Sequence, residues 1–591
     1  MKNIALAMSG GGFRAAAFSL GAIAYLNQLK SGDTSLLERV KFIGSTSGGS
    51  IANLAYAAGI CSGTSFHEIY HLLLETLEGE RVITKAFELL DNDGIWKNHP
   101  EKSRNLINAF SMAYNELIFP GQHLDILNSE LKSTHIEEIC VNSTELANGL
   151  SFRFQSQHPD ESISKGKIGN SYIHFKTGTS EIFGKVRLSD MLAASSCFPG
   201  GFEPMLFPED FTHAQLDAKT LTGAINYREN PFSTRDNPED LFKDKDFKSN
   251  PKRFGLLDGG IADNQATDSI LLANQRRVEN KREPFDMILI CDVTSYLMDA
   301  FTLPMQKKTF LNNFSVRFIQ RFLFLLAGLF PITILGLVFY GWKPNLTLVL
   351  LPLLAAFSIN LYSRFQAKAA KENVHQTKST WGIIFFRYVK YFLKLRLGLI
   401  SQMIEARLKS VFMITSDVYL RQIRAHYYSK LFSDDKFRNI VVTNAIYDLS
   451  LVKQNARNRE EHSEKENGNT LAGRESLSGK TVLESSNKII QVAEKARLVA
   501  TTLWFDEHSR GNDEKAAVVA TGQFTLCYNL IKHLIKVRER ALLVPSVTEP
   551  VQNDSSKQVF DQDTTLLLEM LLKDWERFNE DPFWLYKQSF K

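Results

Sequence analysis

Residues 41–59 read "KFIGSTSGGSIANLAYAAG". An apolar segment, 40–43, runs into a cluster of glycines and hydroxyls and then into small apolar residues. Short apolar runs bounded by glycine predict buried strands, and the small-residue composition of 50–58 predicts a helix packed closely on a sheet. The pattern is therefore strand, turn, helix. Four hydroxyls, Ser45, Thr46, Ser47 and Ser50, lie in or beside the turn. The elbow that exposes a catalytic serine, G-x-S-x-G, is met at none of the serines. The frame with glycine at both ends, Gly44 to Gly48, centres on Thr46.

The same unit occurs once before. Residues 3–8 predict a strand, 9–12 a tight loop, and 13–29 a helix rich in alanine and leucine. The opening apolar run is too short for a secretion signal and flows into a glycine loop rather than a cleavage site, so it reads as a strand. Apolar strand patterns return at 288–292 and 440–443. Strands alternating with helices predict an α/β fold built on a parallel sheet. Residues 66–131 predict helices that cap this sheet, with "FPGQ" at 119–122 as a break; ordinary surface helices are the alternative.

The composition sets bounds on function. The 591 residues suffice for a large core, and 69 basic against 65 acidic side chains, a net charge of +4, leave no cationic excess that would indicate nucleic acid. The five cysteines, Cys61, Cys140, Cys197, Cys291 and Cys527, are scattered without C-x-x-C spacing, which predicts neither disulfides nor a metal site. Calcium-ligand spacing is absent too, so no metal and no cofactor are expected.

A different physics operates between 300 and 400. Residues 322–342 are uncharged, and after "KPN" a second apolar run covers 346–362. Runs near 20 residues suit a bilayer-spanning helix. Arg317 and Arg321 precede the first run, and Arg364, Lys368 and Lys371 follow the second, so the rule that basic flanks stay inside predicts a hairpin with both ends in the cytoplasm. A buried hairpin of a soluble domain is the alternative, favoured by Pro331 and Pro352. Residues 381–400 set Arg387, Lys390 and Lys394 on one helical stripe among aromatics, as an interfacial helix would. Residues 455–487 are polar, charged and free of aromatics, which predicts disorder. The expected organisation is a catalytic core at 1–300, the hairpin region at 301–380, further elements completing the α/β domain at 381–545, and a linker with a terminal helix at 546–591.

Three short motifs carry chemistry. Gly10, Gly11 and Gly12, between a strand and a helix, let backbone N–H groups converge at a helix N-terminus, where an anion is favoured. That anion is a bound phosphate or a transient oxyanion. The phosphate reading has a G-x-G-x-x-A match at 10–15 but lacks the acidic residue about 20 positions on that holds a ribose. The oxyanion reading makes the second glycine turn coherent, because it supplies hydroxyls beside the first. "LLDGGIADN" at 256–264 delivers Asp258 to a glycine pair, where a partly desolvated carboxylate can act as a general base; a turn-capping aspartate is the alternative.

Taken in order, "SGGGFRAAAFSLG" at 9–21, "GSTSGGS" at 44–50, "AASSCFPGGFEP" at 193–204 and "LLDGGIADN" resemble a patatin-like phospholipase over roughly residues 1–300. The resemblance implies a patatin-like sheet with flanking helices. It also implies a lipid acyl hydrolase with a Ser-Asp dyad: Ser47 as nucleophile, Asp258 as base, and Gly10, Gly11 and Gly12 as the oxyanion loop. Arg14 fills the basic position after the glycines, a candidate contact for a phospholipid head group. Ser45 stands where the family's elbow has glycine, and Ala15 where the loop often has another.

The resemblance also decides the frame. Thr46 is a hindered secondary alcohol whose branching disfavours the strained backbone of an elbow, whereas Ser47 is followed directly by Gly48. A Ser-His-Asp arrangement through His375, His426 or His508 is the competing chemistry. The expected protein is a membrane enzyme with its catalytic domain facing the cytoplasm, acting on phospholipid or another acyl lipid in the bilayer. A non-catalytic membrane-bound regulatory or binding protein with the same fold is the alternative.

Overall fold

A computed structural model describes residues 2–156, 168–227, 253–294, 301–305, parts of 310–340, 394–456, 483–501, 505–543 and 562–588, apart from 33, 79 and 177. The chain divides into two compact units: Met1–Met298 with Asp417–Lys591, and Asp299–Ser416.

The first unit is built on a sheet whose strands and connections run in the order β1 (Ile4–Met8), α1 (Gly12–Gln28), β2 (Val40–Thr46) and α2 (Gly48–Cys61). Then come β3 (Glu138–Glu145), β4 (Leu150–Gln155), α3 (Leu188–Ser196), β5 (Phe254–Asp258), α4 (Thr267–Glu279) and β6 (Met287–Asp292). Beyond the second unit follow β7 (Val441–Ala445) and α5 (Glu514–Leu543). Strands β3, β2, β1, β6 and β7 lie side by side and parallel.

The sheet is mixed, not purely parallel. Only four residues join β3 to β4, too few for a crossover, so the two form an antiparallel hairpin. Strand β5 is antiparallel to β3 and to the short strand Met205–Phe207.

Alternation in β1 assigns its two faces. Ile4, Leu6 and Met8 belong to one core cluster, Ala5 and Ala7 to the other. Helix α1 is buried from Phe13 to Leu26 because it is covered by the sheet on one side and α5 on the other. Five helices, Phe66–Thr76, Glu80–Asp91, Asp93–Asn98, Leu106–Leu117 and Leu124–Glu130, follow α2, and their Leu73, Leu89, Phe110 and Leu127 join the larger cluster. A capping box between Ser65 and Glu68 starts the first of them. The "FPGQ" segment falls in the break between the fourth and fifth.

The second unit contains the helix Leu397–Met413, whose Leu397 N–H donates to the Phe314 carbonyl and whose Gln402 amide donates to the Pro304 carbonyl. Large apolar residues are exposed along this helix, Ile404, Leu408 and Val411 among them. Among the described residues no helix is long and apolar enough to cross a membrane. The expected hairpin, 322–342 and 346–362, lies outside the described residues except for Phe322, Leu325, Phe339 and Tyr340. The expected interfacial helix at 381–400 lies outside them before Lys394, as does most of the polar stretch at 455–487.

Candidate active site

Strand β2 is longer than its apolar composition indicates. It stays in register through Thr46, which pairs with Asn142, because β1 and β3 hydrogen-bond it on both sides. Helix α2 begins at Gly48, so the turn is reduced to one residue, Ser47. Its φ is 49° and its ψ −122°, a conformation that costs an L-residue about 1–3 kcal/mol and persists only where the surroundings enforce it.

Enforcement comes partly from close packing. A Cβ on Gly48 would lie 1.9 Å from the Gly12 carbonyl oxygen, so the two glycine turns touch backbone to backbone. Gly11 has φ 140°, a region open to glycine, and it is the residue that precedes α1 as its N-cap.

Asp258 reaches the same place from the other direction. Its strand, β5, runs antiparallel along β3 and ends with Asp258 opposite Ser143, one position beyond the Asn142 that faces Thr46. The Ser47 side chain acts on the Asp258 carboxylate, lowering its pKa, and the Gly260 N–H donates to its Oδ1 at 2.7 Å. Both side chains are nearly buried, at 7% and 5% exposure. Burial pushes the Asp258 carboxyl up to about 6, and the Gly260 N–H and the Ser47 side chain hold it back. Among the described residues no histidine acts on that carboxylate, and His375 lies outside them.

The other hydroxyls of the turn are engaged inward. Thr46 Oγ1 donates to the Asp263 carbonyl at 2.8 Å. Ser45 Oγ receives the Ser50 hydroxyl at 3.0 Å and the Asn53 amide at 2.8 Å, all three residues being fully buried. Asp263 caps α4, with its carboxylate accepting the N–H groups of Thr267, Asp268 and Ser269. The Ser47 N–H donates to Ser195 Oγ at 2.8 Å. Ser195 lies in the "AASSCFPGGFEP" motif, yet its spacing carried no sign of that contact.

The glycine loop differs in one respect from expectation. Gly10 donates its N–H to the Asn264 carbonyl at 3.0 Å, so it is not free to hold an oxyanion. The N–H groups of Gly11 and Gly12 have no backbone acceptor among the described residues, and Gly12 opens a helix whose first N–H groups have no partners within it.

Arg14 does not face a lipid. Its guanidinium donates to the carbonyls of Val293 and Val499 and to the Thr501 hydroxyl, and the residue is only 8% exposed. The reason is the burial of α1 on all sides, which leaves a residue in its first turn no route to solvent. Burial lowers its pKa to about 10, with Asp292 opposing the shift. Arg14 therefore ties the start of α1 to two distant loops.

A strand ending in a single strained serine, followed at once by a helix and set on a mixed α/β sheet, is the architecture of a nucleophile elbow. Residues 6–271 match the family model described as patatin-like phospholipase. No protein of curated function matches the sequence. Among solved structures, human GIVD cytosolic phospholipase A2 is 16% identical, with 50% of this chain and 46% of that chain covered and a TM-score of 0.31. This chain thus spans about half the length of that relative. VipD from Legionella pneumophila is 12% identical, with 97% and 91% covered and a TM-score of 0.21. Superpositions this loose carry no argument about function.

Proposed function

We propose that the protein is a lipid acyl ester hydrolase of the phospholipase A type that works through a Ser47–Asp258 dyad. The observation that carries this reading is Ser47, held at φ 49° in a one-residue turn beside a buried carboxylate whose pKa it lowers. As Ser47 Oγ attacks the ester carbonyl, its proton passes to Asp258. A carboxyl near 6 is ionised at neutral pH yet basic enough to accept that proton.

The N–H groups of Gly11 and Gly12, aided by the α1 dipole, hold the oxyanion, each good donor contributing about 3–4 kcal/mol to the transition state. Collapse breaks the ester C–O bond, and Asp258 returns the proton to the departing alcohol. Water, deprotonated by Asp258, then releases the fatty acid from the acyl-serine. Every step uses groups of this chain and water.

The reading extends to a bilayer location with the catalytic unit on the cytoplasmic side. Its support is sequence physics: two apolar runs with basic residues at their outer flanks.

The test uses the full chain purified in detergent with labelled phospholipid vesicles and neutral-lipid esters. Ser47→Ala and Asp258→Asn should lose about a thousandfold or more of the turnover, and Thr46→Ala should retain most of it. A fluorophosphonate should label Ser47. Undiminished hydrolysis by Ser47→Ala overturns the assignment.

A further inference from the structure

We propose that Ser195 is a positioning residue that fixes the nucleophile relative to its base; the proposal rests on the Ser47–Asp258 dyad reading. Ser195 is fully buried at the C-terminal end of α3 and touches both halves of the site. Its Oγ accepts the Ser47 N–H at 2.8 Å. Its carbonyl accepts the Gly259 N–H at 3.2 Å, one residue beyond Asp258. One residue thus holds the backbone of the nucleophile with its side chain and the backbone after the base with its main chain.

Ser195 is itself held on several sides. Its hydroxyl donates to the Asn142 carbonyl at 2.6 Å, on the strand whose Asn142 faces Thr46 and whose Ser143 faces Asp258. The Ser50 hydroxyl lies 3.1 Å from it. The nearby carbonyls of Ala194 and Cys197 are engaged too: Ala194 accepts the Ser143 hydroxyl at 2.8 Å, and Cys197 accepts the Asp258 N–H at 3.1 Å. The end of α3 is a template against which both strand ends are set.

The contact also assigns the direction of the Ser47 amide. Pointing at Ser195, it is not free to face an oxyanion, so the glycine loop carries that task. A buried N–H without an acceptor is destabilising. Removing the Ser195 hydroxyl therefore lets the turn relax toward an unstrained φ, which carries Ser47 Oγ away from its attack geometry. Ser195 is fully buried and offers substrate no surface, so KM is expected to hold.

The experiment compares wild type, Ser195→Ala, Ser195→Cys and Ser196→Ala, each as the full chain in detergent, using a soluble short-chain ester and a fluorophosphonate probe. Ser196 donates its hydroxyl to the Leu192 carbonyl of its own helix and serves as the neighbouring control. In Ser195→Ala the expectation is a kcat about 10- to 100-fold lower with KM within about twofold, the range in which small displacements of reacting groups act. The rate constant of fluorophosphonate labelling should fall in the same proportion, while the final labelled fraction stays near that of wild type.

A purely structural defect would do the opposite, lowering the labelled fraction and leaving the rate constant of the remaining sites unchanged. That result overturns the proposal, as does a folded Ser195→Ala with wild-type kcat. If the alanine variant does not fold, Ser195→Cys answers the question: its volume is similar and its sulfur a poorer acceptor, so an intermediate rate is expected and a wild-type rate overturns the proposal. Wild-type protein that labels at Ser47 while the variants label equally fast defeats this proposal alone. Wild-type protein that does not label at Ser47 defeats the dyad reading, and this proposal with it.

Discussion

Thr46 and Asp258 end two strands that meet head to head along a third, facing the consecutive residues Asn142 and Ser143 of β3. Residues 212 positions apart in the chain are thereby brought to adjacent registers, with Ser47 as the single residue between the end of β2 and the start of α2. Backbone hydrogen bonding thus brings Ser47 and Asp258 to neighbouring positions before any side-chain preference acts.

Ser45 is the departure from the family's elbow, and as a small residue in a glycine's place it suggests that Ser45→Gly should be harmless. The buried polar contacts predict otherwise. Ser45 Oγ is the acceptor for both Ser50 and Asn53, and its loss leaves buried donors unsatisfied. Ser45→Gly should destabilise the protein by about 1–3 kcal/mol, read as a lower urea midpoint with an unchanged m-value.

The pH dependence of turnover should show an acid limb. With the Asp258 carboxyl raised to about 6 by burial, kcat/KM should rise with pH through about 6 and level off near neutrality. A flat profile between pH 5 and pH 7 would remove Asp258 as the base.

Stability should move in the opposite sense over the same window. A carboxyl raised from the ordinary 3.8 to about 6 binds its proton more tightly in the folded state. That contribution is fully present below about pH 4 and is lost as pH rises through about 6. Asp258→Asn has no such loss, so its unfolding free energy relative to wild type should grow between pH 4 and pH 7, by up to about 3 kcal/mol. Asp263, also raised to about 6 by burial, titrates in both proteins and cancels in the difference.

Arg14 should matter for folding rather than for lipid recognition. Arg14→Ala removes the donor shared by Val293, Val499 and Thr501 and should cost about 1.5–3 kcal/mol. KM for phospholipids of different head group should change in parallel, if at all. A selective loss for anionic head groups in vesicle assays would contradict the buried role.

Gly48 is required by proximity. Its φ is ordinary, but an added methyl would collide with the Gly12 carbonyl at 1.9 Å and push the oxyanion loop off the elbow. Gly48→Ala should abolish fluorophosphonate labelling or prevent accumulation of folded protein. Gly63→Ala, whose added carbon meets nothing within 4 Å, is the comparison for the methyl group itself, with a small penalty from its positive φ.

The two strand–glycine–helix units, the apolar strand patterns at 288–292 and 440–443 and the family motifs were all visible in the sequence. Local rules govern them: apolar runs bounded by glycine, and small residues where a helix packs on a sheet. The chain order of the four motifs made Ser47 and Asp258 the candidates, because motif residues keep their positions however the chain is folded.

Where hydrogen bonds go was decided only by the tertiary structure. Gly10 looks like its neighbours in sequence, yet its N–H is engaged by Asn264; Arg14 looks like a surface cation, yet α1 is covered on every side. Ser195 carried no mark distinguishing it from Ser196, and the end of α3 directs one hydroxyl at the elbow and the other back along its own helix. The physical reason is common to all three. Composition and spacing encode which segments become strands and helices. The partner of a buried polar group depends on which distant segment the sheet register brings within 3 Å, and that register is a property of the assembled fold.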